Sequence, residues 1–244
     1  MPTSQDSGVG IDPAFLALPL SKLSSTALQR ARDFNATHAD FRVERLRTQD
    51  LSLRDGSLVD SSEGDDVGFA VRVVIDGTWG FASGVALTPD EVVRVTEQAA
   101  RVAMVSKAIT HERIELADEP VYQDAVWVSA YDVDPFDVST ADKVGLLQEW
   151  SHRLLAAAGV DHVSADAQQV RENKFYADSH GTTTTQQRVR IYPQLEIVGA
   201  DHDQGILDAM RTIAPPVGRG WEYLTDGVYD WDAELAELPD LLAA

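Results

Sequence analysis

The sequence predicts an α+β protein: an antiparallel sheet flanked by helices in an N-terminal domain, then a second region of helix and antiparallel strands. Three observations predict it. Several short segments alternate apolar and polar residues, two segments carry apolar residues at helical spacing behind clear N-caps, and glycine-containing turns separate the strands. We expect a loose N-terminus over residues 1–13, a domain over 14–110, a middle region over 119–205 and a connector over 206–244.

The N-terminal domain opens with a helix and then extended segments. Apolar residues fall near one helical face from Ser21 to Thr37. Phe41 and Val43 alternate with charged residues, which is typical of a half-buried strand. Leu51 and Leu53 show the same alternation in what we interpret as a separate strand, and Asp55-Gly56 is a turn before another short strand.

A β-hairpin is the clearest local prediction. Phe69, Val71, Val73 and Ile75 share one period-2 register, and Asp76-Gly77 supplies the positive-φ pair of a type I′ turn. The turn chemistry and the flanking alternation therefore agree. The aromatic residues of this and later elements are expected in the core rather than around a ligand: Trp79, Phe81, Trp127 and Trp150.

The next helix has a defined start. Thr88 is the predicted N-cap, Pro89 occupies the first helical position and Glu91 completes a capping box. We expect its buried stripe to be Val92, Val95, Ala99, Val102 and Ala103.

The middle region begins after an acidic, irregular segment from Glu112 to Pro120. A strand is predicted around Trp127, followed by a helix capped by Ser139 and ended by Gly159. Its predicted buried residues are Val144, Leu147, Trp150, Leu154 and Ala158. Strands are expected at about 160–171, 173–179 and 183–200, with a turn at His180-Gly181, and an acidic helix interrupted by Pro239 closes the chain.

Composition limits the classes of function. Lys and Arg total 20 and Asp and Glu total 40, so the formal net charge is −20, which opposes direct binding to nucleic acid. The 244 residues contain no cysteine, so disulfides and thiolate sites are excluded. We find no signal peptide and no apolar stretch of membrane-spanning length, and we expect a cytoplasmic protein.

The one His-Glu pair does not form a zinc motif. After His111-Glu112, an HExxH pattern would need histidine at Glu115 and an HExxxH pattern would need it at Leu116. We therefore expect a solvated loop. No catalytic or metal-binding residue is predicted anywhere in the chain, and its substrate-binding residues stay undefined.

Three other polar groups are weaker candidates. Adjacent residues in Asp201-His202-Asp203 rarely converge on one ion, so we expect a turn. Asp132 and Asp134 begin a calcium-loop pattern that Phe136 breaks. His180-Gly181 with the following threonines could contact phosphate, but a threonine-rich strand beside a turn is the simpler interpretation.

Three stretches, in order, resemble one known family. The Arg54-Asp-Gly56 turn, followed by the hairpin from Gly68 to Gly80, is similar to the start of the TldD/PmbA family, also called modulator of DNA gyrase. Ala177-Asp-Ser-His-Gly181 is similar to the family's NSxG turn, with Asp178 in place of asparagine. Gly218-Arg-Gly-Trp-Glu-Tyr223 is similar to its GGYE segment.

The resemblance implies the N-terminal half of a metallopeptidase subunit. In such proteins related subunits pair, as hetero- or homo-oligomers, around a chamber that cuts unfolded or small peptides. Zinc is expected in a C-terminal domain with an HExxxH helix, which we expect beyond Ala244 and which this chain lacks. The residues present would shape the chamber, dock the partner subunit and admit peptide. The alternative is a stand-alone, non-enzymatic binding or assembly module derived from the same fold.

Overall fold

One mixed sheet with helices on one face makes up the described part of this protein. The structure is a computed structural model and describes residues 10–201 and 205–243. Its helices and strands, in chain order, are α1 (Pro13–Leu16), α2 (Leu20–Asp33), β1 (His38–Arg54), β2 (Ser57–Ile75), β3 (Thr78–Gly84), α3 (Pro89–Ser106), β4 (Ala125–Val128), α4 (Thr140–Leu155), β5 (His162–Asp178), β6 (Thr183–Asp201), β7 (Ile206–Arg211), α5 (Glu222–Thr225) and α6 (Trp231–Leu242). This arrangement confirms the predicted α+β class.

The strands are ordered β3-β2-β1-β5-β6-β4, with β7 also paired to β6. The β4–β6 pair is parallel, and the other described pairs are antiparallel. Because β1 pairs with β5 from Asp40↔Asp178 to Arg54↔Ser164, strands from the two predicted regions form one continuous sheet.

Two groups of helices, α2 with α3 and α4 with α6, cover the same face of this sheet. The odd-numbered Phe41 and Val43 of β1 lie in a cluster with α2 and α3, and the odd-numbered Leu51 and Leu53 lie in a second cluster with α4 and α6. Since side chains alternate along a strand, the even-numbered residues face the other side, which these helices do not cover. That open face is polar.

A belt of buried polar side chains separates the two apolar clusters. Arg171 bonds Asp12 and Asp134 at 2.7 and 2.9 Å, and the side-chain ammonium of Lys143 donates to Gln49. The amide of Gln169 is fully buried, and neither its oxygen nor its nitrogen has a hydrogen-bond partner among the described residues.

The predicted hairpin turns and N-caps are confirmed, whereas the helix predicted to end at Gly159 ends at Leu155. Asp55-Gly56 and Asp76-Gly77 all have positive φ, and each pair closes a hairpin. The Thr88 hydroxyl accepts from the N–H of Glu91, and Ser139 accepts from Asp142 in the same way. The predicted C-terminal helix is present, but Pro239 lies inside the continuous α6 and does not interrupt it.

The predicted strand breaks are wrong. Phe41 and Leu53 belong to the single 17-residue β1, and β5 runs without interruption through Arg171-Glu172-Asn173. Polar residues in the middle of both strands lie in the buried polar belt. Because polar residues are also typical of loops, the sequence pattern predicts a break at these positions. The first helix ends at Asp33 rather than Thr37 because Asn35 takes a positive φ of 57°.

Several burial predictions also need correction. Val102 and Ala158 are exposed, since α3 turns Val102 outward and Ala158 lies beyond the end of α4. Phe81 and Trp127 are 58% and 48% exposed, because their strands β3 and β4 lie at the sides of the sheet. Trp150 is buried as expected.

Candidate functional site

A cleft of about 800 Å³ lies on the open face of the sheet, where β1, β2, β5 and β6 come together. Even-numbered residues of these strands form its floor: His38, Arg42, Glu44, Arg72, Val74, Lys174, Tyr176, Asp178, Thr184 and Gln186. The register explains their meeting, because Arg42 is opposite Tyr176 and Asp40 is opposite both Arg72 and Asp178.

An extended segment without regular structure, residues 114–122, forms one wall of the cleft, and we call it the strap. The N–H of Ile114 donates to the carbonyl of Gly77 at 2.8 Å, and the carbonyl of Tyr122 accepts from Thr183 at 2.7 Å. The strap is therefore fixed at the β2–β3 turn and at the start of β6. The segment predicted to be irregular, Glu112 to Pro120, therefore overlaps the wall of the cleft.

Asp40 organises the floor. Its side chain is 1% exposed, and its two oxygens accept from the Nε atoms of Arg42 at 3.1 Å and Arg72 at 2.7 Å. Burial favours the protonated acid, but hydrogen bonds from His38 and Arg72 and the charge of Arg42 outweigh it and hold the pKa of Asp40 below its usual value. The carboxylate is therefore ionised at neutral pH.

The guanidinium group of each of the two arginines packs against an aromatic ring. The guanidinium of Arg72 lies 4.5 Å from the ring centroid of Trp79, and that of Arg42 lies 5.4 Å from the ring centroid of Tyr176. Such cation–π contacts fix the plane of a guanidinium and add to its ion pair. Each arginine thus lies between a ring and Asp40.

Two histidines lie next to this group. His38 is buried, and its Nε2 is 3.4 Å from Asp40 Oδ2, while its Nδ1 is 3.3 Å from Nδ1 of His180. The two imidazole rings are stacked with centroids 5.2 Å apart. His180 is exposed and belongs to the turn between β5 and β6.

Asp178 shapes that turn. Its Oδ1 accepts from the backbone N–H groups of His180 and Thr182 at 2.8 and 3.0 Å, and its Oδ2 accepts from the hydroxyl of Tyr176 at 3.1 Å. Burial, together with the charges of Asp40 and Asp178, raises the pKa of Tyr176 well above its usual value. Tyr176 therefore stays protonated and acts as a donor. An aspartate performs here the turn-forming role that asparagine also performs.

The other candidates from the sequence do not join the cleft. His111 and Glu112 are exposed in an irregular segment, as expected. Asp134 caps a short 3₁₀ turn and pairs with Arg171, while Asp132 is exposed. In Asp201-His202-Asp203, only the backbone of Asp201 falls among the described residues.

Part of the sequence, including residues of the cleft, is similar to known proteins. A family model described as PmbA/TldA metallopeptidase domain 1 matches residues 39–103, which include Asp40, Arg42 and Arg72. A metalloprotease of Methanocaldococcus jannaschii is 22% identical over 189 residues, covering 78% of this chain and 41% of the relative. A family model and a metalloprotease relative therefore both support the resemblance to the TldD/PmbA family.

Two solved structures show the same fold. A proposed modulator of DNA gyrase from Bacteroides thetaiotaomicron matches with a TM-score of 0.66 at 12% identity, covering 91% of this chain and 48% of that one. TldE from Thermococcus kodakarensis matches with a TM-score of 0.59 at 17% identity, covering 91% and 47%. The chain therefore spans less than half the length of these two solved proteins.

The cleft offers charged and aromatic groups but no assembled metal site. Among residues 10–201 and 205–243, no three His, Asp or Glu side chains come together in a geometry that could hold a metal ion. No sequence pattern predicts the cleft, although His180 and its neighbouring threonines, which include cleft residues, are a possible phosphate contact in the sequence.

None of the described helices has the length and apolar character needed to cross a membrane.

Proposed function

We propose that this chain is the N-terminal, non-catalytic portion of a TldD/PmbA-like zinc metallopeptidase subunit. It would form part of a chamber wall, pair with a related subunit and admit unfolded or small peptides for proteolysis. The observation that carries the proposal is the match of residues 39–103 to the family's first metallopeptidase domain. The metalloprotease relative, of which this chain covers 41%, supports the same assignment.

The open face of the sheet supports a role in handling peptide. It is polar and is covered by none of the described helices, and its cleft contains arginine, histidine, tyrosine and threonine side chains that can bind polar groups of a peptide. The zinc ion and its HExxxH helix would come from the part of the family fold that this chain does not span. The chain's own residues would then bind and orient the peptide while the chemistry takes place on that other part.

The experiment compares the 244-residue chain alone with the chain mixed with a zinc-loaded TldD/PmbA-type subunit from the same genome. We expect the isolated chain to hold well under one zinc per molecule and to show no chelator-sensitive cleavage of an unfolded peptide. The mixture should co-elute as one complex in size-exclusion chromatography. Stoichiometric zinc with chelator-sensitive cleavage by the isolated chain would overturn the non-catalytic assignment.

A second candidate is a stand-alone binding or assembly module. It is favoured by the two apolar clusters, each of which is built from helices and strands of this chain: α2 and α3 in one, and α4 and α6 in the other. A chain with cores of its own does not need a partner to fold. In the same experiment, this module would fold as a metal-free protein and would not co-elute with the zinc-loaded subunit.

A further inference from the structure

We propose that the cleft binds the carboxylate group of a peptide between the guanidinium groups of Arg42 and Arg72. This inference rests on the proposed function for the choice of a peptide as ligand. The binding group itself follows from the geometry of the cleft.

The binding atoms are the terminal nitrogens of the two arginines. Arg42 and Arg72 each reach Asp40 through Nε alone, at 3.1 and 2.7 Å. Among the described residues, the Nη1 and Nη2 atoms of both side chains have no hydrogen-bond partner. Because a guanidinium presents its N–H groups as a planar fork that matches a carboxylate, each side chain keeps donors for an incoming anion.

The site is preorganised. Asp40 is 1% exposed and holds one guanidinium on each of its oxygens, while Trp79 and Tyr176 support the guanidinium planes. Since the side chains are already held, little conformational freedom remains to be lost when an anion binds. Arg42 and Arg72 are nevertheless 51% and 38% exposed, so a ligand can reach them.

The net charge of Arg42, Arg72 and Asp40 favours a monovalent anion as ligand. The group of Arg42, Arg72 and Asp40 carries one positive charge. Lys174 is paired with Glu172 at 2.7 Å and lies 3.6 Å from Glu44, and the other acidic residue of the floor, Asp178, accepts from the N–H groups of His180 and Thr182. The acidic side chains of the strap, Asp118 and Glu119, form no ion pair with either arginine within the described part of the chain. A single carboxylate would therefore neutralise the group, in a protein whose formal net charge is −20.

The walls of the cleft fit a peptide better than a free inorganic anion. Leu116, Val121 and Tyr122 of the strap line the cleft beside the polar floor, together with Val74 of β2. A volume of about 800 Å³ is in the range of pockets that enclose an organic ligand. A carboxylate held by the arginines would leave the adjoining side chains of the peptide against this apolar wall.

The test is isothermal titration calorimetry of the unmodified chain with a short apolar peptide that has a free C-terminus, and with the same peptide amidated. We expect the free acid to bind at least about tenfold more tightly, since the amide cannot accept charge-assisted hydrogen bonds as a carboxylate does. An amidated peptide with one glutamate distinguishes a side-chain carboxylate from a terminal one. Equal affinity for acid and amide, or tighter binding of inorganic phosphate than of the peptide acid, would overturn the proposal.

Variants locate the binding group. R42Q and R72Q together should reduce affinity for the peptide acid at least about tenfold and leave the amide unchanged. The matched control is R54Q, because Arg54 lies on the same strand and face as Arg42 and is 52% exposed, against 51% for Arg42, but does not line the cleft. An equal loss in R54Q would contradict the assignment.

The carboxylate site and the proposed function can fail separately. If the chain binds the peptide acid and the peptide amide equally well but co-elutes with the zinc-loaded subunit, the carboxylate site is contradicted and the subunit role is supported. If the chain prefers the peptide acid but does not co-elute with the zinc-loaded subunit, the carboxylate site is supported and the subunit role is contradicted.

Discussion

His38 and His180 face each other through their Nδ1 atoms, 3.3 Å apart, although 142 residues separate them in the sequence. One proton must lie between these two nitrogens, because two lone pairs or two N–H groups would repel each other. Since Asp40 is ionised and lies 3.4 Å from Nε2 of His38, the neutral pair that satisfies both contacts has Nε2–H on His38 and Nδ1–H on His180. His180 then presents its Nε2 lone pair on the exposed side.

The tautomers of this pair are directly measurable. We expect ¹⁵N NMR spectra at neutral pH to show a protonated Nε2 and an unprotonated Nδ1 on His38, with the reverse on His180. D40N should weaken the preference on His38, because the anionic acceptor for Nε2–H is lost. A protonated Nδ1 on His38 in the unmodified protein would contradict the contact that the structure shows.

Replacing Asp40 should lower stability. In D40N, Arg42 and Arg72 lose a common anionic partner, and we expect a loss of about 1.5–3 kcal/mol in the free energy of unfolding. Because the pKa of Asp40 is lowered by folding, its contribution is complete above the ordinary value of 3.8 and is lost as the pH falls below it. Urea unfolding between pH 7 and pH 3 should show the difference between the two proteins shrinking at the acidic end.

The control for that measurement is D50N. Asp50 lies on the same strand and face, is half-buried and accepts from Gln168 at 2.9 Å. We expect it to change stability by no more than about 0.5 kcal/mol. A D50N effect as large as that of D40N would show that the cleft carboxylate has no special role.

Local signals in the sequence were sufficient for the turns and caps, but not for the cleft. Asp76-Gly77 and Thr88 could be predicted because positive φ and N-capping depend on a few adjacent residues. The meeting of Arg42, Tyr176 and His180 depends on the register between β1 and β5, which lie more than 100 residues apart. No periodicity within either strand fixes that register.

The middle of the long strands was mispredicted for a related reason. Arg171 and Asn173 are polar because β5 crosses the buried polar belt, where Arg171 pairs with Asp12 and Asp134. Polar residues within an alternating pattern predict an exposed position or a loop. Their partners become visible only in the folded chain.

The packing of α3 on β3 requires glycine at position 80. A Cβ atom at Gly80 would lie 1.9 Å from the carbonyl oxygen of Ala99 and 2.8 Å from the nitrogen of Ala103. We expect G80A to cost at least about 2 kcal/mol, because the helix backbone must move away from the sheet. G145A is the matched control, since a Cβ there meets nothing within 4 Å and Gly145 lies inside α4.

We expect G145A to stabilise the protein by about 0.5–1 kcal/mol, because alanine restricts the unfolded chain and favours the helix. Urea midpoints of the two variants and the unmodified protein provide the comparison. An unchanged midpoint for G80A would show that α3 is not held against β3 as closely as the structure indicates.

Lys143 should make stability depend on pH in the alkaline range. Its side chain is 1% exposed, and burial lowers its pKa to about 8 from 10.5, with Glu63 opposing and Arg47 reinforcing the effect. Between these two values the unfolded chain binds more protons than the folded one, so this residue makes the protein more stable as the pH rises from about 8 to 10.5. Below about pH 8 the cost of burying the charge is complete.

The comparison of the unmodified protein with K143M isolates the contribution of this residue from those of all other groups, which the two proteins share. From pH 8 to 10.5, the free energy of unfolding of the unmodified protein should rise relative to K143M, by up to about 3 kcal/mol. Urea unfolding of both proteins at pH 7.5, 9 and 10.5 measures the difference. If the difference stays constant across these pH values, burial does not lower the pKa of Lys143, and the polar belt must hold enough water to solvate its ammonium group.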